Sequence, residues 1–373
     1  GEKPTLEKQI QNNNTGEWST TGNVAFQLGD TVNFRIITSV PDVSRYPDGY
    51  TYIVHDTMTA GFTSKVTTDA ASVSIVIDNN PADTLAGDYY TITLDPHGNA
   101  GETSHFDLTI DISKAIADGK IQAGDKLYIN YAAVLNEKAD FYQIGEKTNT
   151  NTAQLEYSNN PNGAGTGKTP ESKVNAWTLP AIISKVDGKD NTKTLEGAKF
   201  VLSRNPNLKV SDMQCDENGV PTITTDLIPL FAPGDQSSTA AYDIATAEQV
   251  AAGTHITYVV ELGSKVLAGF GEHAYYLYET KAPNGYNLLA EPVKFTFHTS
   301  ATMDLMTDPA WITLNDSTIK LTGMNFDIAN NSGATLPETG GIGTTLFYVI
   351  GALLVVGAGV LLVTKKRMGK ADN

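Results

Sequence analysis

Groups able to do conventional catalysis are sparse in this chain. Its six histidines are scattered over 373 residues, with no His-Glu-x-x-His, no paired ligand spacing and no Cys-x-x-Cys. The sequence therefore predicts no metal site. No Gly-x-Ser-x-Gly elbow is present to expose a nucleophilic serine, and no cofactor is implied. Gly163 to Thr169 reads GAGTGKT, which hints at a phosphate loop. Such a loop needs a glycine where Asn162 stands, and Pro170 follows where a helix should begin, so nucleotide binding is not expected. Asp187 to Asn191 has calcium-ligand residue types but no EF-hand pattern, and reads as a turn. Cys215 is the single cysteine, which leaves no intramolecular disulfide. What remains is lysine, carboxylate and asparagine. Both halves of the chain begin with a lysine in a first predicted strand and end with an asparagine in or just after the last.

The elements that would position these groups are strands. Thr31 to Thr38, Tyr50 to Val54, Val73 to Ile77, Tyr89 to Leu94, Phe106 to Ile112, Lys126 to Val134 and Thr152 to Tyr157 alternate with period two. Turn clusters such as Pro47-Asp48-Gly49 and Asn79-Asn80-Pro81 separate them, and the only helical hint among them is Ser113 to Asp118. Strands resume at Ala181 to Val186, Lys199 to Leu202, Thr254 to Glu261, Ala274 to Glu279, Val293 to Phe297, Trp311 to Leu314 and Asn325 to Ile328. The Ala-rich stretch from Ala240 to Ala251 could make a short helix. Many short strands with such turns predict an all-β chain of sandwich domains. The expected order is a sandwich over 1–160, a linker over 161–178, a second sandwich over 179–332 and a terminal segment over 333–373. The net charge of −16 argues against nucleic acid and anionic membrane surfaces as partners.

The terminal segment begins Leu336-Pro337-Glu338-Thr339-Gly340, then carries an uncharged apolar run from Leu346 to Val363, then Lys365-Lys366-Arg367. The run is about long enough to cross a bilayer as one helix, since ~20 apolar residues span the hydrocarbon. The basic cluster puts the C-terminus on the cytoplasmic side and everything upstream outside. This three-part order resembles the LPxTG sorting signal of Gram-positive surface proteins. The resemblance implies that a sortase cysteine attacks the Thr339 carbonyl and releases Gly340 onward. Thr339 then passes to an amine on a peptidoglycan precursor or on another subunit. Pro337 fits a narrow cleft because it fixes φ and kinks an extended strand.

Tyr275 to Tyr286 reads YYLYETKAPNGY, which resembles the E-box YxLxETxAPxGY of Cna B-type domains in Gram-positive pilins. Ile182 to Asp187, Leu195 to Phe200 and a closing asparagine resemble the same family. In that family a first-strand lysine and a last-strand asparagine join as an intramolecular isopeptide bond, promoted by the E-box glutamate. Carried over, the set is Lys185, Glu279 and Asn330, with Asn331 as the alternative acceptor. Alternation from Phe326 and Ile328 puts Asn330 on the core side. The start Lys3 to Lys8, the segment Tyr52 to Phe62 and the strand Asn151 to Pro161 resemble the isopeptide-forming domain of backbone pilins. There the set is Lys8, Asp56 and Asn151, with Asn149 and Asn159 as alternative acceptors. The chemistry is coherent: burial drives a lysine toward its neutral, nucleophilic form and keeps a carboxyl protonated, so it can polarise the carboxamide and move a proton as ammonia leaves.

Taken together, the resemblances imply two Ig-like β-sandwich domains in tandem, then a sorting signal with one transmembrane helix. They imply an extracellular, wall-anchored pilus subunit rather than an enzyme, with sortase and other pilin subunits as partners. A monomeric adhesin that binds host matrix or glycan is the alternative. Backbone pilins also carry a donor lysine in a motif like WxxxVxVYPK, and no Tyr-Pro-Lys occurs in this chain. With no signal-like stretch after Gly1, the sequence is expected to be a piece of a longer, exported chain.

Overall fold

The computed structural model describes residues 2–20, 24–94, 103–142, 149–234, 241–299 and 310–333. Leu336 to Gly340, the apolar run and the basic tail lie outside the described residues. Among the described residues no helix is long and apolar enough to cross a membrane.

The fold is mostly β, and the described strands form four sheets. The chain divides into two units: 1–24, 30–139 and 147–177 in one; 25–29, 140–146 and 178 onward in the other. In the first unit, Leu6–Gln11, Thr31–Ser39 and Lys126–Leu135 pair antiparallel in one sheet. The facing sheet runs Ser172–Trp177, Asn149–Ser158, Tyr52–Met58, Ser104–Ile110, Tyr90–Leu94. Alternate residues of Thr31–Ser39, Tyr52–Met58 and Lys126–Leu135 are buried, which is the pattern expected where one face of each strand meets a core. Ile36, Val54, Leu108, Ile129 and Leu155 fill the space between the sheets.

In the second unit, Leu179–Asp187 lies between Ser264–Phe270, antiparallel, and Asn325–Asn330, parallel. The opposite sheet contains Val259–Leu262, Ala198–Ser203, Ala274–Lys281, Val293–His298 and Trp311–Leu314. Phe270, Tyr275, Phe295 and Phe297 form its aromatic centre, with ring centroids 4.8 to 6.1 Å apart.

One stretch departs from its sequence reading. Composition marks 161–178 as a linker, but Thr166–Lys168 and Ser172–Trp177 both pair with Asn149–Ser158. Val174, Ala176 and Trp177 are buried, so a half-buried strand outweighs the local glycine, threonine and asparagine content. The two helical hints appear as the short helices Ile112–Ala117 and Ala247–Ala252. The second is capped by Thr246 and Gln249, each accepting from the other's backbone N–H.

Candidate functional site

Each sandwich buries a lysine, a carboxylate and an asparagine together in its core. In the first unit Lys8 sits on Leu6–Gln11, Asp56 on Tyr52–Met58 and Asn151 on Asn149–Ser158. All three are fully buried. Alternation places them: Lys8 and Ile10 point inward from one sheet, and Val54, Asp56, Asn151 and Ala153 from the other. Lys8 Nζ donates to Asp56 Oδ2 at 2.7 Å and also lies against the Tyr131 hydroxyl. Tyr131 donates to the same Asp56 oxygen and accepts from Asn151 Nδ2 at 3.3 Å. The Phe34 and Tyr131 rings wall the amine, with centroids 5.2 and 4.7 Å from Nζ. Burial pulls the Lys8 amine below its usual range even though Asp56 opposes the shift. Asp56 Oδ1 and Asn151 Oδ1 are buried with no hydrogen-bond partner.

The alternative acceptors separate by position. Asn159 is exposed beyond the end of its strand. Asn149 is buried, but its side-chain oxygen lies against Gly61, where a Cβ would come within 2.6 Å of it. That close approach accounts for the glycine in the Asp-Thr-x-x-x-Gly segment. Asn151 is the asparagine held in the Lys8–Asp56–Tyr131 cluster. Tyr131 is absent from the sequence reading of the site, although the alternation of Leu127, Ile129 and Tyr131 pointed its ring inward.

In the second unit Lys185 and Asn330 lie on adjacent parallel strands, with Lys185 opposite Ile328 and Asp187 opposite Asn330. Glu279 faces them from the opposite sheet. Lys185 and Asn330 are fully buried, and Glu279 is 2% exposed. Asn330 Nδ2 donates to Glu279 Oε2 at 2.9 Å and to the Asn287 carbonyl at 2.8 Å. The Leu289 N–H donates to the same Glu279 oxygen at 2.8 Å. Lys185 Nζ donates to the Ile328 carbonyl at 3.0 Å. Burial pushes the Lys185 amine down to about 8 and holds the Glu279 carboxyl above its usual range. Glu279 Oε1 and Asn330 Oδ1 are buried without partners. Asn331 is exposed and packs over Gly188, away from the cluster.

The E-box supplies more than its glutamate. The register skips beside Phe200, so Glu279 opposes Phe200 while Lys281 opposes Lys199. This is a bulge of the kind that re-aims a side chain. The turn that follows closes with the Tyr286 N–H donating to the Pro283 carbonyl at 3.0 Å, and Gly285 takes φ of 84°. Tyr286 then donates to Asp187 Oδ2 at 2.6 Å, tying the turn to the lysine strand. The returning chain presents the Asn287 carbonyl and Leu289 N–H to the site.

Residues 328–368 match the family model described as the LPXTG cell wall anchor motif. The fold is similar to that of the 35 kDa C-terminal fragment of the major pilin GBS80 of Streptococcus agalactiae. The TM-score is 0.54 at 21% identity, over 88% of this chain and 100% of that one. The chain carries an LPXTG cell wall anchor motif behind domains folded like those of major pilins. A group B streptococcus pilus 2b backbone protein is similar to this chain with TM-score 0.50 and 21% identity, over 84% and 97% of the two chains. By sequence, the Actinomyces viscosus fimbrial subunit type 1 is 26% identical over 362 residues, 92% of this chain. The trypsin-resistant surface T6 protein of Streptococcus pyogenes serotype M6 is 23% identical over 346 residues, 81% of this chain. The chain spans 62% of the length of each of these two relatives.

Proposed function

We propose that this chain is a structural subunit of a sortase-assembled pilus, hardened by two autocatalytic isopeptide bonds, Lys8–Asn151 and Lys185–Asn330. The observation that carries the reading is the same trio of buried groups, lysine, acid and asparagine, at the centre of both sandwiches. A buried amine beside a carboxamide and an acid has few structural reasons to exist, because desolvating those groups costs several kcal/mol per charge. It has a chemical one. The neutral amine of Lys8 or Lys185 attacks Cγ of the asparagine, and a new C–N bond forms. The bond from Cγ to Nδ2 breaks, and Nδ2 leaves as ammonia with a proton taken from the lysine. Asp56 or Glu279 carries that proton across and polarises the amide meanwhile. The hydrogen bond from Asn330 Nδ2 to Glu279 Oε2 supports this role for Glu279. Each bond is made once, so this is self-modification rather than turnover.

On this reading the two units are Ig-like sandwiches in tandem, and Leu346 to Val363 is a membrane helix that holds the chain until a sortase transfers Thr339 to a peptidoglycan precursor or to another subunit. The assembled fibre supports adhesion. Cell-wall extracts test the assembly directly. The account predicts a ladder of covalent multimers that disappears when Leu336 to Gly340 is deleted. A single wall-linked band would instead identify a monomeric adhesin bound to host matrix or glycan.

A further inference from the structure

The sheet that turns Asp56 inward carries a second polar cluster on its outer face. Along Tyr52–Met58, His55 and Thr57 point away from the core. On the neighbouring strand, Asp107 lies opposite His55, and His105 opposite Thr57. Asp107 Oδ1 stands 2.6 Å from His55 Nδ1 and 3.0 Å from His105 Nε2. The far nitrogen of each ring meets another oxygen: His55 Nε2 is 2.7 Å from Glu156 Oε2, and His105 Nδ1 is 2.7 Å from Thr57 Oγ1. The ligand atoms of His55, His105 and Asp107 lie within 4.8 Å of one another.

Proton counting exposes a conflict. A neutral imidazole has one N–H, yet both nitrogens of His55 face carboxylate oxygens. In that neutral form one contact sets lone pair against lone pair, which either a second proton or a bound cation relieves. A cation between the rings and Asp107 removes the conflict and leaves the N–H of His55 for Glu156. That is the outer arrangement of a metal-bound histidine, whose second nitrogen donates to a carboxylate. We propose that His55, His105 and Asp107 form a three-ligand site for a divalent cation of the zinc class. Glu156 and Thr57 fix the two rings from behind. Ligand distances of ~2.0–2.1 Å put tetrahedral ligand atoms about 3.3 Å apart, so a small opening of the 2.6 and 3.0 Å contacts seats the ion. The cluster borders a depression of about 260 Å³, which leaves a fourth position for water or an incoming donor. The site would staple two strands on the solvent side of the sheet. Spacing along the chain conceals it, because sheet pairing brings together ligands from distant segments.

Zinc alone is the probe. The full chain, purified in detergent and stripped with chelator, is dialysed against micromolar Zn²⁺ and analysed for bound metal. Co²⁺ is substituted for its visible absorption. One ion per chain is expected, with the intense bands of a four-coordinate cobalt site. His55→Ala and His105→Ala are each expected to weaken binding more than about 100-fold, and Glu156→Gln by about 10- to 100-fold, because it weakens the acceptor that orients the His55 ring. These side chains lie on the outer face, and an ammonia deficit and metal-free melting temperature equal to those of the unsubstituted chain would show that the variants fold. Binding that ignores the histidine substitutions overturns the proposal. So does a chain that takes up no zinc while nitrogen NMR shows His55 doubly protonated at neutral pH, which would assign the cluster to a proton.

Discussion

A lysine amine in water is protonated and inert toward an amide, so what matters at each cluster is how the residues around it change that state. Lys185 is pushed down to about 8 by burial, against the nearby charge of Glu279. This gives a pH signature for a chain that cannot form its bond. In Asn330→Ala the amine persists, with a folded pKa of about 8 against an ordinary 10.5. Between those values the unfolded chain binds more protons, so stability rises with pH, by up to about 3 kcal/mol. In a wild type linked as proposed, the amine has become an amide and does not titrate. Denaturant unfolding below pH 8 and near pH 10.5 should therefore show the variant closing part of its gap to wild type at the higher pH. A constant gap would contradict a buried, unlinked Lys185. Tyr131 gives a second prediction. Its hydroxyl touches Lys8, Asp56 and Asn151, so Tyr131→Phe should slow the first cross-link in a time course of intact mass while leaving the second unchanged. Equal rates would remove Tyr131 from the chemistry. The lysines and carboxylates were legible because they sit in motifs. Tyr131 was not, since an inward tyrosine in an alternating strand is indistinguishable from ordinary core until its neighbours are known.

The strands decide what a cross-link does. Lys185 is on the first strand of its sheet pair and Asn330 on the last, side by side and parallel; Lys8 and Asn151 stand on facing sheets. A bond at either place closes most of a unit into a loop. By the loop-entropy relation for disulfides, closing ~100 residues contributes about 4–5 kcal/mol. Glu279→Gln should leave the second unit unlinked and lower its melting temperature by about 10–20 °C, at about 2–4 °C per kcal/mol for a unit of this size. A melt unchanged by the substitution would mean that the bond adds nothing to stability. Most strands were readable from period-two alternation, and Trp311–Leu314 lies where the sequence puts it. Ser264–Phe270 was not, because it is buried along most of its length and shows no alternation. Ser172–Trp177 was hidden by the turn-forming residues before it.

At the scale of the whole molecule, the chain has one cysteine and therefore no disulfide of its own to resist load outside the cell. The proposed cross-links from first strand to last would supply the same resistance by other chemistry. On the proposed reading, tension entering at one end of a unit passes through the isopeptide bond and bypasses the sandwich. On the same reading, cleavage at Thr339 couples that load path to the wall or to another subunit, and residues 328–368 match the LPXTG cell wall anchor motif that such coupling requires. The sequence made the anchor legible by order alone, signal then apolar run then basic tail. The acceptor asparagines needed the fold, because Asn149, Asn151 and Asn159 share one strand face by alternation, and Asn151 alone of the three is held in the cluster of Lys8, Asp56 and Tyr131. The covalent claim is tested most directly by the intact mass of the purified full chain beside its Asp56→Ala and Glu279→Ala variants. The account predicts a wild-type mass two ammonia molecules below that of the sequence, with one restored by each substitution. A wild-type chain at its full unmodified mass would contradict it and leave an anchored sandwich protein without covalent reinforcement.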